Sequence, residues 1–168
     1  MTIYPYVSEY HSLLSSKFGG LPDTTVMLGE GNLMAYATPK TCKLSAFHFE
    51  QLPIMPSGKI THLFAALRII RAPEVPDAFA NVFVEIYVAR AGRKNEMLIP
   101  IPNTKSPLFP NLGNVNVADR LLGEWQHLNI PVEQGDRLIL VFSIEGGSNS
   151  FANSIIGSLS GQIGVSVK

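Results

Sequence analysis

Charge and cysteine are both scarce in this chain, and each shortage removes a class of function. Only 15% of its 168 residues are Asp, Glu, Lys or Arg, below the usual quarter or so of a soluble protein. The 13 basic and 13 acidic side chains cancel, and they are scattered. The densest basic cluster, Arg90-Ala91-Gly92-Arg93-Lys94, has the composition of a solvated hairpin tip. No basic stripe interleaved with aromatics runs along the chain, so nucleic acid is not an expected partner. Cys42 is the only cysteine, which excludes an intrachain disulfide framework and fits a buried structural thiol. No apolar run approaches the roughly 18 residues of a spanning helix, so no membrane partner is expected. The opening Met1-Thr2-Ile3-Tyr4-Pro5-Tyr6 has neither the basic nor the apolar region of a Sec signal peptide.

Catalytic patterns are just as thin. His11, His48, His62 and His127 are the four histidines, and none sits two or four residues from another, as metal sites on strands and helices often require. A cupin-like enzyme would need His48 and His62 to meet across strands beside a carboxylate. Gly157-Ser158-Leu159-Ser160-Gly161 lacks the spacing of a nucleophile elbow. Gly29-Glu30-Gly31-Asn32 is a turn, since no Lys-Ser/Thr pair follows it. Glu74 and Asp77 lie in a proline-broken loop, and Glu124 neighbours Trp125; neither makes a convincing acid pair for glycoside hydrolysis. No enzyme activity, metal or other cofactor is expected.

What the sequence does contain is strand. Val82, Val84, Ile86 and Val88 alternate with Phe83, Glu85, Tyr87 and Ala89, a period of two. Leu159, Gly161, Ile163, Val165 and Val167 alternate with small polar residues in the same way. Strands are expected near 25–28, 33–37, 42–51, 60–71, 81–90, 97–101, 121–128, 138–144 and 159–167. Pro, Gly and Asn punctuate them, which indicates an all-β sandwich or barrel. A short helix is expected over 8–18, with Ser8 as its cap and Gly19 as its stop. Residues 103–117 read as one long loop.

Two stretches are apolar on both faces: Leu138 to Ile144, and Leu63-Phe64-Ala65-Ala66-Leu67 with Ile69-Ile70. One face of an antiparallel strand usually meets water, so the second apolar face needs a cover. A second layer of the same chain would supply one, and so would a neighbouring subunit. On the subunit reading Leu63, Phe64, Leu67, Ile139, Val141 and Phe142 are the interface candidates. Trp125 (the single tryptophan) and Phe109 are candidates for stacking on a sugar ring, although an interior Trp is the commoner case.

Four stretches, in order, resemble one family. Ile54-Met55-Pro56-Ser57-Gly58-Lys59-Ile60-Thr61 is similar to a turn and strand in the C-terminal domains of Bcl-type exosporium glycoproteins, the collagen-stalked proteins of the nap on bacterial spores. Asn81 to Arg90 with Leu98-Ile99-Pro100-Ile101-Pro102 is similar to a hairpin of the same domains. Asn129-Ile130-Pro131-Val132-Glu133-Gln134-Gly135-Asp136-Arg137-Leu138 and its continuation to Ser143 resemble a third segment, and Ile155 to Ile163 the closing strand. The resemblance spans residues 52–168. It implies a trimeric jelly roll of the tumour-necrosis-factor and complement-head type, structural or adhesive, on a spore surface (exosporium or coat) or another extracellular surface. Other surface-layer proteins or glycans are the partners it implies. The alternative is a lectin-like or phage-adhesin module on the same fold.

The chain departs from that family in three ways. The family's heads are almost uncharged, whereas this one carries Arg90, Arg93, Lys94 and a few acids. No Gly-X-Y stalk precedes the head, and residues 1–40 are richer in Tyr, His and charge than the family's opening. Within a single domain, residues 41–168 are then the head. Residues 1–40 are either a docking segment standing in for the stalk or an edge strand of the sandwich.

Overall fold

A computed structural model of the chain describes residues 1–7, 11–29, 34–37, 42–43, 50, 52–71, 80–92, 97–112, 119–146, 152 and 154–168, with backbone alone at 34–37, 42–43 and 97. Among them the chain forms strands β1 Thr2–Val7, β2 Ser12–Ser16, β3 Pro22–Leu28, β4 Met34–Ala37, β5 Cys42–Lys43, β6 Gly58–Arg71 and β7 Asn81–Ala89. It continues with β8 Met97–Pro100, β9 Ser106–Pro107, β10 Arg120–Trp125, β11 Ile130–Val132, β12 Arg137–Glu145 and β13 Ser154–Val167. Every pairing among them is antiparallel.

The strand order is that of a jelly roll. In the first sheet β13 lies between β6 and the pair β1 and β2, and β10 and β11 flank β6 on its far side. In the second sheet β12 lies between β3 and β7, with β4 beyond β3 and β8 and β9 beyond β7. β2, β3, β6, β7, β8 with β9, β10, β12 and β13 serve in chain order as the eight principal strands. Odd and even partners then interleave between the sheets, as two nested Greek keys require.

Alternation explains which side chains meet between the layers. Val82, Val84, Ile86 and Val88 of β7 are buried, while Phe83, Glu85 and Tyr87 face outward. On β13 Leu159, Ile163 and Val165 point inward and Ser158, Ser160 and Gln162 outward, while Val167 lies exposed beyond the core. Gly161 also points inward, and there the side chain of Leu140 from the opposite sheet occupies the space a Cβ would need. Glycine therefore lets the layers approach at that point.

The described strands within residues 1–40 pair into the sandwich. Tyr6 of β1 is fully buried, and its hydroxyl donates to the Leu138 carbonyl of the opposite sheet at 3.3 Å. Leu14, Val26 and Leu28 join the same core. Of the two readings for this segment, the covering strand is the one the pairing of β1 with β13 supports. The helix expected over 8–18 is replaced by β2, whose inward residues Ser12, Leu14 and Ser16 alternate with Leu13 and Ser15. Pairing to β13 and β3 outweighs a weak cap signal there. Within 103–117, β9 and an isolated bridge from Phe109 to Leu122 interrupt the expected loop. Of the strand expected over 42–51, Cys42–Lys43 is present; His48 and its neighbours lie outside the described residues.

The sheets are joined by backbone at two margins. β3 pairs with β2 at Ser15 and Thr24, then crosses to pair with β12 from Val26 onward. On the opposite margin β9 pairs with β7, and two residues later Phe109 and Leu122 exchange amide-to-carbonyl bonds of 2.9 and 2.8 Å.

Candidate functional site

The outward faces of the two sheets are the surfaces on which function can be built, and they differ. On β12 the even-numbered Leu138, Leu140, Phe142 and Ile144 fill the space between the sheets. Ile139 and Val141 point the other way, yet they are only 0% and 5% exposed. Met27, Leu52, Ala89 and Leu98 pack with them as a second apolar cluster, with Tyr87 against its margin. The cover for the second face of β12 is therefore the chain itself.

That cover is strapped down by polar contacts. The Arg137 guanidinium donates to the Leu52 carbonyl at 2.9 Å and the Glu50 carbonyl at 3.3 Å, and sits 3.7 Å from the Glu50 carboxylate. The Met55 amide donates to the Asp136 carbonyl, and the Gly135 amide to the Met55 carbonyl, at 2.7 and 2.9 Å. Asp136 is completely buried, and its carboxylate accepts from the Arg90 guanidinium at 2.7 Å and the Ala91 and Glu133 amides at 3.1 and 3.0 Å. A buried carboxylate needs such partners. Here they hold the turn between β11 and β12 against the end of β7. Gly135, with φ of 95°, supplies the left-handed residue this turn requires.

The interface candidates drawn from the sequence are mostly corrected by this arrangement. Leu63, Leu67 and Phe142 belong to the inter-sheet core, and Ile139 and Val141 to the second cluster. None of these five offers a surface to a neighbour, because intrachain packing uses both faces of β12 and the inward face of β6. Phe64 alone faces outward.

Phe64 stands on the open face of the first sheet. Cross-strand registers lay out the rows of that face. Leu122, Ala66, Ser160 and Val7 form one row across four strands, with Glu124, Phe64, Gln162 and Pro5 on one side of it. Arg120, Arg68 and Ser158 form the row on the other side. Leu122 and Val7 are 46% and 43% exposed, and Phe109, the bridge partner of Leu122, is 64% exposed. A shallow cleft of about 390 Å³ runs over this ground, lined by Val7, Phe64, Ala66, Arg68, Arg120 and Leu122 among others. Small residues make its floor and larger apolar ones its walls. Sequence reading passed over Val7, Leu122, Arg68 and Arg120. The alternation Phe64, Ala66, Arg68, Ile70 against Leu63, Ala65, Leu67, Ile69 was the signal that separates the two faces of β6.

Trp125 and Phe109 do not form a stacking platform together. Trp125 packs against the core, and its ring fills the space beside Gly123 that a Cβ would need. Phe109 faces outward with Leu122, on the other side of β10.

The second sheet carries a smaller and more polar cleft of about 140 Å³, lined by Glu85, Tyr87, Lys105, Ser143 and Glu145 among others. Lys105 pairs with Glu145 at 2.5 Å and lies over the Phe83 ring, 4.9 Å from its centre. Burial pushes the Glu85 carboxyl above the ordinary glutamate range; Lys105 opposes this and Glu145 adds to it.

No family model matches the chain, and no curated protein matches it.

Proposed function

We propose that this chain is a non-enzymatic head that assembles as a homotrimer in a bacterial spore or cell-surface structure, with the open face of the first sheet meeting neighbouring copies. The observation that carries the reading is the contrast between the faces. The chain covers the apolar side of the second sheet itself, but on the first sheet it leaves Val7, Leu122 and Phe109 exposed and Phe64 half-exposed among the described residues. A contiguous exposed apolar patch on a soluble domain marks an interaction site. The jelly-roll strand order and the resemblance of residues 52–168 to spore-nap heads favour three copies and a surface location.

Light scattering tests the assembly. The expected particle has three times the 18.3 kDa chain mass, and Phe64→Glu with Leu122→Glu reduces it to the single chain without unfolding. A wild-type protein that runs as a stable single chain overturns the reading. Antibody labelling of intact spores tests the location. A carbohydrate-binding alternative now rests on the exposed ring of Phe109, since Trp125 is turned inward; a glycan array on wild type and Phe109→Ala decides it.

A further inference from the structure

We propose that the Arg68 and Arg120 end of the first sheet's cleft binds a small oxyanion carried on an apolar body, such as the carboxylate of a medium-chain acid. Arg120 and Arg68 are direct cross-strand partners on β10 and β6, so their side chains rise from the same face side by side. Like charges opposite one another destabilise a strand pair. Among the described residues neither arginine has an ion-pair or hydrogen-bond partner to relieve this. Among the described residues Glu124, a carboxylate on the same face, is separated from the pair by the Leu122 row and accepts from the Gln126 side-chain amide at 2.8 Å.

Two guanidinium groups carried on paired residues at one end of the cleft suit a planar or tetrahedral oxyanion, which each can grip through two N–H groups. Ser158, the partner of Arg68 on the other side, and Ser160, which pairs with Ala66 and shares the floor with it, add hydroxyl donors to the same cleft. The remaining lining decides what the anion is attached to. Ala66 leaves the floor low, and Val7, Phe64 and Leu122 wall it with hydrocarbon. An inorganic ion would leave those walls bare, whereas an alkyl or aryl body would cover them. The cleft volume of about 390 Å³ is within the range of small-molecule sites. A cationic or neutral ligand of the same shape gains nothing from the arginines. The site is built by one chain, but its walls Val7, Phe64 and Leu122 are also those assigned above to the contact between copies. Hexanoate and a neighbouring copy therefore compete for this face, and saturating hexanoate is expected to shift the particle toward the single chain.

Calorimetric titration of the whole chain with hexanoate, acetate and hexylamine tests this. Hexanoate is expected to bind saturably, acetate at least about tenfold more weakly because it lacks four methylenes, and hexylamine not at all. Arg68→Gln and Arg120→Gln each weaken hexanoate binding by about tenfold or more, while Lys59→Gln, on the same strand away from the cleft, leaves it unchanged. Ser160→Leu fills the floor and removes hexanoate binding. Circular dichroism on every variant separates lost binding from lost fold. Hexanoate binding that survives in the folded double arginine variant overturns the proposal. So does a wild-type protein that binds no hexanoate while the arginine variants lose their oligomer, because the arginines then meet carboxylates of a second copy. A wild-type particle that is a single chain without hexanoate and binds it in the expected way sinks the trimer reading and leaves this one standing.

Discussion

Two outward faces of one sandwich are built from similar strands and left in opposite conditions. β12 on the second sheet carries Ile139 and Val141 outward, and residues around Leu52 and Leu98 fold over them. β6 and β10 on the first sheet carry Phe64 and Leu122 outward, where Phe64 is half-buried and Leu122 is exposed. Apolar residues on both faces of a strand therefore say that a cover exists, without saying whose it is. Here the chain spends an arginine, a buried aspartate and the segment around Glu50–Met55 to make one cover. Among the described residues no comparable device covers the other face.

The contrast can be broken most forcefully at Ile139. Ile139→Asp places a carboxylate in a sealed apolar cluster, and a cost of several kcal/mol is expected, enough to abolish a cooperative urea transition. Phe64→Asp, the matching change on the open face, should leave that transition in place. The next largest effect falls on the strap. Asp136→Ala removes the acceptor of two amides and one guanidinium, and a loss of about 2–4 kcal/mol is expected in the denaturation free energy. Leu52→Ala then thins the cover itself. It should cost about 2–3 kcal/mol and raise the binding of a hydrophobic dye, which the same truncation at Leu122 should not do.

The smallest effect sharpens the comparison through pH. Because burial raises the Glu85 carboxyl in the folded state, with Lys105 opposing and Glu145 reinforcing, the folded chain keeps this proton to higher pH than the unfolded chain does. Stability should therefore fall as pH rises from the ordinary glutamate range through the raised one. Glu85→Gln should flatten that slope, making the variant slightly more stable than the parent above the window and no more stable below it. Denaturation midpoints across mildly acidic to neutral pH measure it.

Strand identity was legible wherever residues alternated, as in β7 and β13, because a period of two has one physical reading. The all-β class and the jelly roll followed from spacing and from resemblance. Four features were not legible. β2 hides among Ser and Leu residues that suit a helix as well, and only its partners β13 and β3 decide. The burial of Ile139 depends on Leu52 and Leu98, distant in sequence, so no local pattern could distinguish an intrachain cover from a subunit. Trp125 points inward because Gly123 makes room for its ring, a pairing two residues apart that composition does not reveal. Arg68 and Arg120 are more than fifty residues apart by their numbering, and only the register of β6 against β10 sets them side by side.

The margins where the sheets meet carry a consequence for how such a chain behaves at high concentration. A sheet edge with free amides and carbonyls is a template on which another molecule's strand can add, and it is the usual starting point of β-aggregation. At one margin β3 turns from one sheet into the other, and at the opposite margin the Phe109–Leu122 rung bridges the gap. Backbone groups that would recruit a stranger are spent within the chain at both places. At these two places contact between copies is left to side chains, which can be selective about a partner, whereas β1, paired among the described residues with β13 alone, keeps main chain open at its outer edge.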